Sequence, residues 1–157
     1  MTKRVAVASD HGGFSLKVEL TPWLQAEGYE VTDLGAHELD PQDDYPDFAD
    51  AAAQAVVSGQ VERAIIFCGS GVGACIAANK VPGVRAAVCH DVYSAHQGVE
   101  HDDMNVLCLG ARVVEARFAR ELVAAFLNAE LLSDEKYHRR LDKVASIERR
   151  SLNSAQR

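Results

Sequence analysis

The sequence predicts an α/β fold: a five-stranded parallel sheet between two layers of helices, a three-layer α/β/α sandwich. Three observations predict it. Short β-branched runs alternate with stretches of helical periodicity, and no low-complexity linker interrupts them. The run Ala64-Ile65-Ile66-Phe67 is continuously apolar, as a strand covered on both faces should be. The residue types that carry chemistry fall just after the apolar runs, at the strand ends where parallel sheets bind ligands. With 157 residues, the chain is expected to form a single domain over 1–157 with a substantial core.

Val5-Ala6-Val7-Ala8 reads as the first strand, ending at Asp10-His11-Gly12-Gly13. Leu16, Leu20, Trp23 and Leu24 recur at i, i+4, i+7 and i+8, the stripe of an amphipathic helix, and Gly28 is its stop signal. Tyr29 to Leu34 gives a second strand, ended by Gly35. A loop with Pro41 and Asp43-Asp44-Tyr45-Pro46 leads into a helical stripe of Phe48, Ala51, Ala52, Ala55 and Val56. After the third strand, Val72 to Asn79 reads as a short helix packed through alanines. Val84 to Cys89 is strand four, Val92 to Val99 is helical, and Val106 to Leu109 is strand five. Phe118, Leu122, Ala125 and Phe126 mark a further helix. Leu141, Val144 and Ile147 mark the last, expected at about 133–150, with 151–157 as a frayed tail.

Composition narrows the function. A hydrophobic fraction of 48% and a charged fraction of 25% are ordinary for a globular protein. A net charge of −7 argues against a nucleic-acid partner. No window approaches the ~20 apolar residues of a membrane span, so no membrane partner is expected. The N-terminus lacks a signal-peptide pattern, and the expected compartment is the cytoplasm. One local reversal of charge, Lys136, His138, Arg139, Arg140 and Lys143, suits either a small anion or a solvated helix face.

Four strand ends should line one edge: Asp10-His11, Cys68-Gly69-Ser70, His90-Asp91 and Gly110-Ala111-Arg112. Gly69-Ser70-Gly71-Val72-Gly73 follows a strand and opens a helix, so its amides can bind negative charge. It lacks the Gly-Lys-Ser/Thr of a phosphate-binding P-loop and the position and spacing of a dinucleotide fingerprint. Cys68, beside a helix N-terminus, is expected to have a lowered pKa, although a plain packing role is the alternative. Attack on phosphorus would need an arginine six residues on, where Ala74 stands. Proton abstraction next to a carbonyl, with loop amides holding enediolate oxygens, needs none. Asp10-His11 is either a hydrogen-bonded pair or a helix-capping turn. The other cysteines (Cys75, Cys89, Cys108) form no C-x-x-C pair and read as small buried residues. His90, His96 and His101 are spaced by six and five, which aligns them on no helical face, so no metal is expected.

Several motifs are specific in combination. Ala8-Ser9-Asp10-His11-Gly12-Gly13-Phe14, Asp44-Tyr45-Pro46, Cys68-Gly69-Ser70-Gly71-Val72-Gly73, Ala77-Ala78-Asn79-Lys80-Val81 and Asn105 to Val114 together resemble the ribose-5-phosphate isomerase B family, which includes galactose-6-phosphate isomerase subunits. The likeness runs from about Val5 to Glu148. It implies a Rossmann-like domain, no metal or organic cofactor, and a homodimer or dimer of dimers whose pocket lies between two subunits. It also implies interconversion of an aldose and a ketose phosphate through a cis-enediolate. By this resemblance Cys68 is the base between C1 and C2, Ser70 assists proton transfer between the oxygens, and His101 opens the sugar ring. Gly69, Gly71 and Gly73 belong to the enediolate-binding loop, Asp10 binds sugar hydroxyls, His11 lies near the phosphate end, and Tyr45 lines the pocket. Arg112 and Arg140 match phosphate-binding arginines, with Asp102 and Lys136 at the adjoining recognition positions.

Three departures stand out, of which the first two bear on the substrate and the third is minor. The family's His-Asn-Asp is His101-Asp102-Asp103 here, exchanging an amide that can donate for a carboxylate that only accepts. Its Arg-His-x-x-Arg is Lys136-Tyr137-His138-Arg139-Arg140, which keeps the charge and loses the bidentate fork. Gly12-Gly13 stands where one glycine is usual. Ribose 5-phosphate is the expected substrate, with a four-carbon erythrulose phosphate or a six-carbon sugar phosphate as competitors. The rival outside isomerase chemistry is a non-catalytic sugar-phosphate-binding protein. A thiol phosphatase is disfavoured by Ala74.

Overall fold

The structure is a computed structural model that describes residues 3–155. Its elements run β1 (Arg4–Ser9), α1 (Phe14–Ala26), β2 (Glu30–Asp33), α2 (Tyr45–Val57), β3 (Arg63–Cys68), α3 (Val72–Ala78), β4 (Ala86–Val88), α4 (Val92–Asp102), β5 (Val106–Gly110), α5 (Ala116–Asn128) and α6 (Glu135–Ala155). The five strands are all parallel, in the order β2-β1-β3-β5-β4. This is the parallel sheet between two helical layers that the alternation of runs predicts, and the Rossmann-like fold that the family resemblance implies.

Side chains alternate across the sheet and create two unlike faces. Val5, Val7, Ile65, Phe67, Leu107 and Leu109 pack against Leu16, Leu20 and Leu24 of α1, Val99 of α4, and Leu122, Val123 and Phe126 of α5. The opposite face is built from small residues. Ala6, Ala8, Ala64, Ile66 and Cys108 meet Ala49, Ala52, Ala53 and Ala55 of α2 and Ala74 and Ala78 of α3. Alanine lets a helix approach the sheet closely, and α3 begins directly behind the third strand.

The ends of the elements follow local chemistry. Gly28, with φ +88°, ends α1 in a conformation that costs other residues a clash. Pro46 and Asp47 sit in the first turn of α2, where a missing N–H is harmless and a negative charge is favourable. The Asp91 carboxylate accepts the Ser94 N–H at 2.7 Å and caps α4. Lys17 is only 1% exposed, yet its ammonium is satisfied: Nζ donates to Asp33 Oδ1 and to the Ala36 carbonyl, each at 2.6 Å. It ties the turn after β2 to α1.

Several boundaries differ from expectation. The second strand is Glu30–Asp33, because the Tyr29 amide closes the helix end by bonding the Leu24 carbonyl. The fourth is Ala86–Val88, because the Arg85 N–H is taken by the Asn105 side chain at 2.8 Å. Asn79 ends α3 and braces β4, exchanging two hydrogen bonds with Ala86 at 2.9 Å. Helix α4 runs on to Asp102, so His101 and Asp102 occupy a helix end. The last helix is Glu135–Ala155, not 133–150. Ser151 and Ser154 bond back to the Ile147 and Arg150 carbonyls, so 151–155 are helical and not frayed; 156–157 lie outside the described residues.

Candidate active site

The strand order reverses between β1 and β3, and the loops after β1, β3 and β5 meet at that switch point. They enclose a cavity of about 330 Å³ lined by Asp10, His11, Gly12, Tyr45, Cys68, Gly69, Ser70, Gly73, Arg112 and Val113. Glycines allow the convergence. A Cβ on Gly13 would stand 2.1 Å from the Phe67 carbonyl carbon, so the first loop lies directly on β3. A Cβ on Gly73 would stand 2.9 Å from the Tyr45 ring, which therefore rests on the α3 backbone. Gly71 has φ +82° and turns the chain from β3 into α3. The Ala111 and Arg112 amides bond the Cys68 and Gly69 carbonyls at 2.9 and 3.1 Å, joining the third loop to the second.

Cys68 ends β3 and is 7% exposed. Its Sγ–H donates to Asp10 Oδ2 at 3.3 Å, while Asp10 Oδ1 accepts the Gly13 N–H at 3.1 Å. Here the sequence expectation is corrected. The thiol pKa is raised, not lowered: burial is the largest cause, followed by the negative charge and hydrogen bond of Asp10. The Gly69 and Gly71 amides pull the other way and are outweighed. Asp10 is therefore a partner of the thiol, and the helix N-cap position belongs to Gly13. Ser70 is exposed at the loop crest, its Oγ accepting the Val72 N–H at 3.2 Å, which leaves its hydroxyl proton for another acceptor.

At the cavity rim, the Arg112 guanidinium lies over Gly69; a Cβ there would meet its Cζ at 3.6 Å. His11 is half-exposed and makes two bonds to one carboxylate oxygen, Asp43 Oδ1, from its backbone N–H at 3.0 Å and its ring Nδ1 at 2.6 Å. Asp43 raises the His11 pKa, first through that hydrogen bond and then through charge; Asp10 adds to this, while burial and Arg112 oppose it. Sequence reasoning missed Asp43. The only signal was an acid pair, Asp43-Asp44, before Tyr45, with nothing in the spacing to say which acid turns inward. Asp10, His11 and Asp43 each offer a donor atom within 4.8 Å of the others, the one such cluster among the described residues. At 2.6 Å, the His11–Asp43 contact is a charge-assisted hydrogen bond, which leaves Nδ1 no lone pair for a metal.

Five expected site residues do not line this cavity: Gly71, within its central loop, and four on α4 and α6. His101 at the end of α4 stacks on Tyr137 of α6, ring centroids 4.1 Å apart, with Gln97 Nε2 2.7 Å from its Nδ1. Asp102 lies 3.4 Å from the same Gln97 nitrogen. Lys136 pairs with Asp134 at 3.2 Å and sits 4.7 Å from the Tyr137 ring. Arg140 is exposed one turn further along α6. The structure thus gathers Asp10, His11, Tyr45, Cys68, Gly69, Ser70, Gly73 and Arg112 around one cavity, with Gly71 at the start of α3, and His101, Asp102, Lys136 and Arg140 elsewhere. Cys75, expected to be buried, is half-buried in α3, its thiol lowered to about 7 by a hydrogen bond with Cys108.

A thiol, a carboxyl and a hydroxyl beneath two basic side chains, at the switch point of a parallel sheet, define the small-molecule site of an α/β enzyme. The chain belongs to the Ribose/Galactose Isomerase family, whose model matches residues 5–144, and is an aldose–ketose isomerase. It is 41% identical over 148 residues to ribose-5-phosphate isomerase B of Escherichia coli, covering 94% of this chain and 98% of the relative. It is also 41% identical over 126 residues to D-erythrulose-4-phosphate isomerase of Pectobacterium atrosepticum, covering 80% and 83%. Among solved structures, ribose-5-phosphate isomerase B of Clostridium thermocellum superposes with a TM-score of 0.90 at 44% identity, covering 94% of this chain and 99% of that one. Among the described residues, no helix is long and apolar enough to cross a membrane.

Proposed function

We propose that the protein interconverts ribose 5-phosphate and ribulose 5-phosphate by enediolate proton transfer, with Cys68 as the base. The observation that carries this reading is the hydrogen bond from the Cys68 thiol to Asp10 in a cavity that Ser70 also lines. Asp10 is the acceptor positioned to take the thiol proton. The thiolate so formed removes the proton from the carbon next to the substrate carbonyl and returns it to the neighbouring carbon. Ser70 moves the proton between the two substrate oxygens, while the loop amides around Gly69, Gly71 and Gly73 hold the enediolate charge. Arg112 and His11 bind the phosphate.

The remaining residues come from a second copy in this proposal. His101, Asp102, Lys136 and Arg140 would complete the cavity across a homodimer interface, His101 opening the sugar ring and the two basic residues contacting phosphate. Exposed apolar residues support a partner: Val72 and Ile76 on α3 beside the cavity, and Val144 and Ile147 on α6, all more than half exposed. A compartment with a pentose phosphate pool, the cytoplasm, fits this role.

A four-carbon substrate is the second reading. Asp102 and Lys136 stand where the family carries Asn and Arg, and a D-erythrulose-4-phosphate isomerase is as similar, at 41% identity, as the ribose-5-phosphate enzyme. Proton NMR in D2O on four-, five- and six-carbon sugar phosphates ranks the candidates. Deuterium entering beside the carbonyl, fastest for ribose 5-phosphate, is the expected result. A faster four-carbon substrate replaces the first reading with the second. Tight binding without exchange on any sugar identifies a binding protein instead.

A further inference from the structure

Asp43 reaches from the loop between β2 and α2 to a residue 32 positions earlier in the chain. Both hydrogen bonds of its side chain go to His11, and both use Oδ1. The other oxygen, Oδ2, is buried with no hydrogen-bond partner among the described residues. The Asp43 side chain is 9% exposed and that of His11 is 36% exposed. A carboxyl retained only to hold a loop would have both oxygens satisfied, because a bare buried acceptor destabilises the fold. Asp43 accepts that cost while spending its bonded oxygen wholly on one histidine.

The consequence for His11 is specific. Its backbone N–H and Nδ1 are anchored to the same atom, so neither the ring's position nor its tautomer is free. Nδ1 must carry a proton to make the 2.6 Å contact. Nε2 is then the one ring nitrogen that can meet a ligand, and His11 lines the cavity.

We propose that Asp43 is a positioning residue for the isomerase reaction: it holds His11 as a fixed imidazolium whose Nε2–H binds the phosphate of the substrate. The inference rests on the isomerase reading and deepens it, since it makes an anionic chain end a requirement and not a preference. The charges facing His11 agree. Asp43 from its loop and Asp10 from the end of β1 favour the protonated ring, while Arg112 after β5 opposes it, and the net direction of the pKa is upward from 6.5. Tyr45 and Cys68 are the other titratable groups on the same cavity. The proton, and with it the phosphate contact, is present below the His11 pKa and lost as pH rises through it.

The test uses full-length protein with labelled histidine and the variant Asp43→Asn, which keeps shape and removes charge. The His11 ring signals, assigned with His11→Gln, are followed from about pH 5.5 to 8.5, with and without inorganic phosphate. In the wild type, His11 should titrate above 6.5 with Nδ1 protonated throughout. In Asp43→Asn, the titration should move down, phosphate affinity near neutral pH should weaken about tenfold, and substrate KM should rise far more than kcat falls. An unchanged His11 titration and phosphate affinity in the variant overturns the proposal. So does a wild-type His11 that titrates below 6.5 or is protonated on Nε2 alone, a result that needs no variant to fold. The two readings fail separately: phosphate binding through His11 with no turnover of ribose 5-phosphate removes the ribose 5-phosphate reading and leaves the hold of Asp43 on His11 standing.

Discussion

The rings of His101 and Tyr137 are stacked with their planes 16° apart, fastening the last turn of α4 to the first turn of α6. Neither residue touches the cavity that holds Cys68. If His101 opens the sugar ring and Cys68 moves the proton, as proposed above, their separation is a strange design for one chain and a sensible one for two. In a symmetric pair, each cavity can borrow His101, Lys136 and Arg140 from its neighbour.

Mixing tests that arrangement. Cys68→Ala and His101→Ala should each be nearly inactive alone. Denatured together and refolded, they should recover about a quarter of wild-type activity, because half the dimers are mixed and each has one intact site. No recovery would place the whole reaction within single chains.

Cys68→Ala should fold with little change in Tm and lose at least ~1,000-fold in kcat, and Ser70→Ala should lose ~100-fold. Steady-state kinetics on purified variants decides both. Wild-type kcat in either variant removes that residue from the mechanism.

The two shifted groups act on kcat and KM separately. The Cys68 pKa is raised, so the thiolate is scarce at neutral pH and kcat should climb as pH rises toward the thiol pKa. The His11 pKa is also raised, so its cationic form dominates at lower pH and KM should climb as pH rises through it. Separate profiles of kcat and KM should therefore increase together with pH. A flat kcat profile would contradict a base that starts as a buried thiol.

Gly13→Ala should be among the most damaging single changes outside the chemistry. Its Cβ would lie 2.2 Å from the Phe67 carbonyl oxygen and 2.5 Å from the Cys68 nitrogen, so backbone must move. A loss of about 1–3 kcal/mol is expected by denaturant titration. The movement falls on the residue before the thiol, so kcat should drop as well. The double glycine that looks like a small departure in sequence is thus what lets the first loop lie on the third strand.

The fold was legible because its signals are local. Ala64-Ile65-Ile66-Phe67 announces a strand buried on both sides, and Leu16, Leu20 and Leu24 announce a helix that faces the same core. Boundaries failed where a side chain replaced the expected backbone partner, as Asn105 does for Arg85. Much of the cavity lining was legible for a related reason: a parallel sheet delivers residues following its strands to one edge, whatever they are. The Cys68 pKa was not, because the sign depends on the balance of burial and Asp10 against loop amides, and sequence shows only the amides. Asp43 was invisible because its partner lies 32 residues away and no periodicity links a loop acid to a strand end.

The alanine face of the sheet has a consequence for the history of the sequence. Leucine, valine and phenylalanine on the α1/α5 side can exchange with other large apolar residues at small cost if total volume is kept. Ala49, Ala52, Ala53, Ala74 and Ala78 are fully buried and have no such substitutes, since every larger side chain would lift α2 or α3 away from the strands. Lifting α3 would carry Gly71 and Gly73 with it. Mutations should therefore accumulate unevenly through the thickness of one small domain, quickly on the bulky side and hardly at all on the thin one.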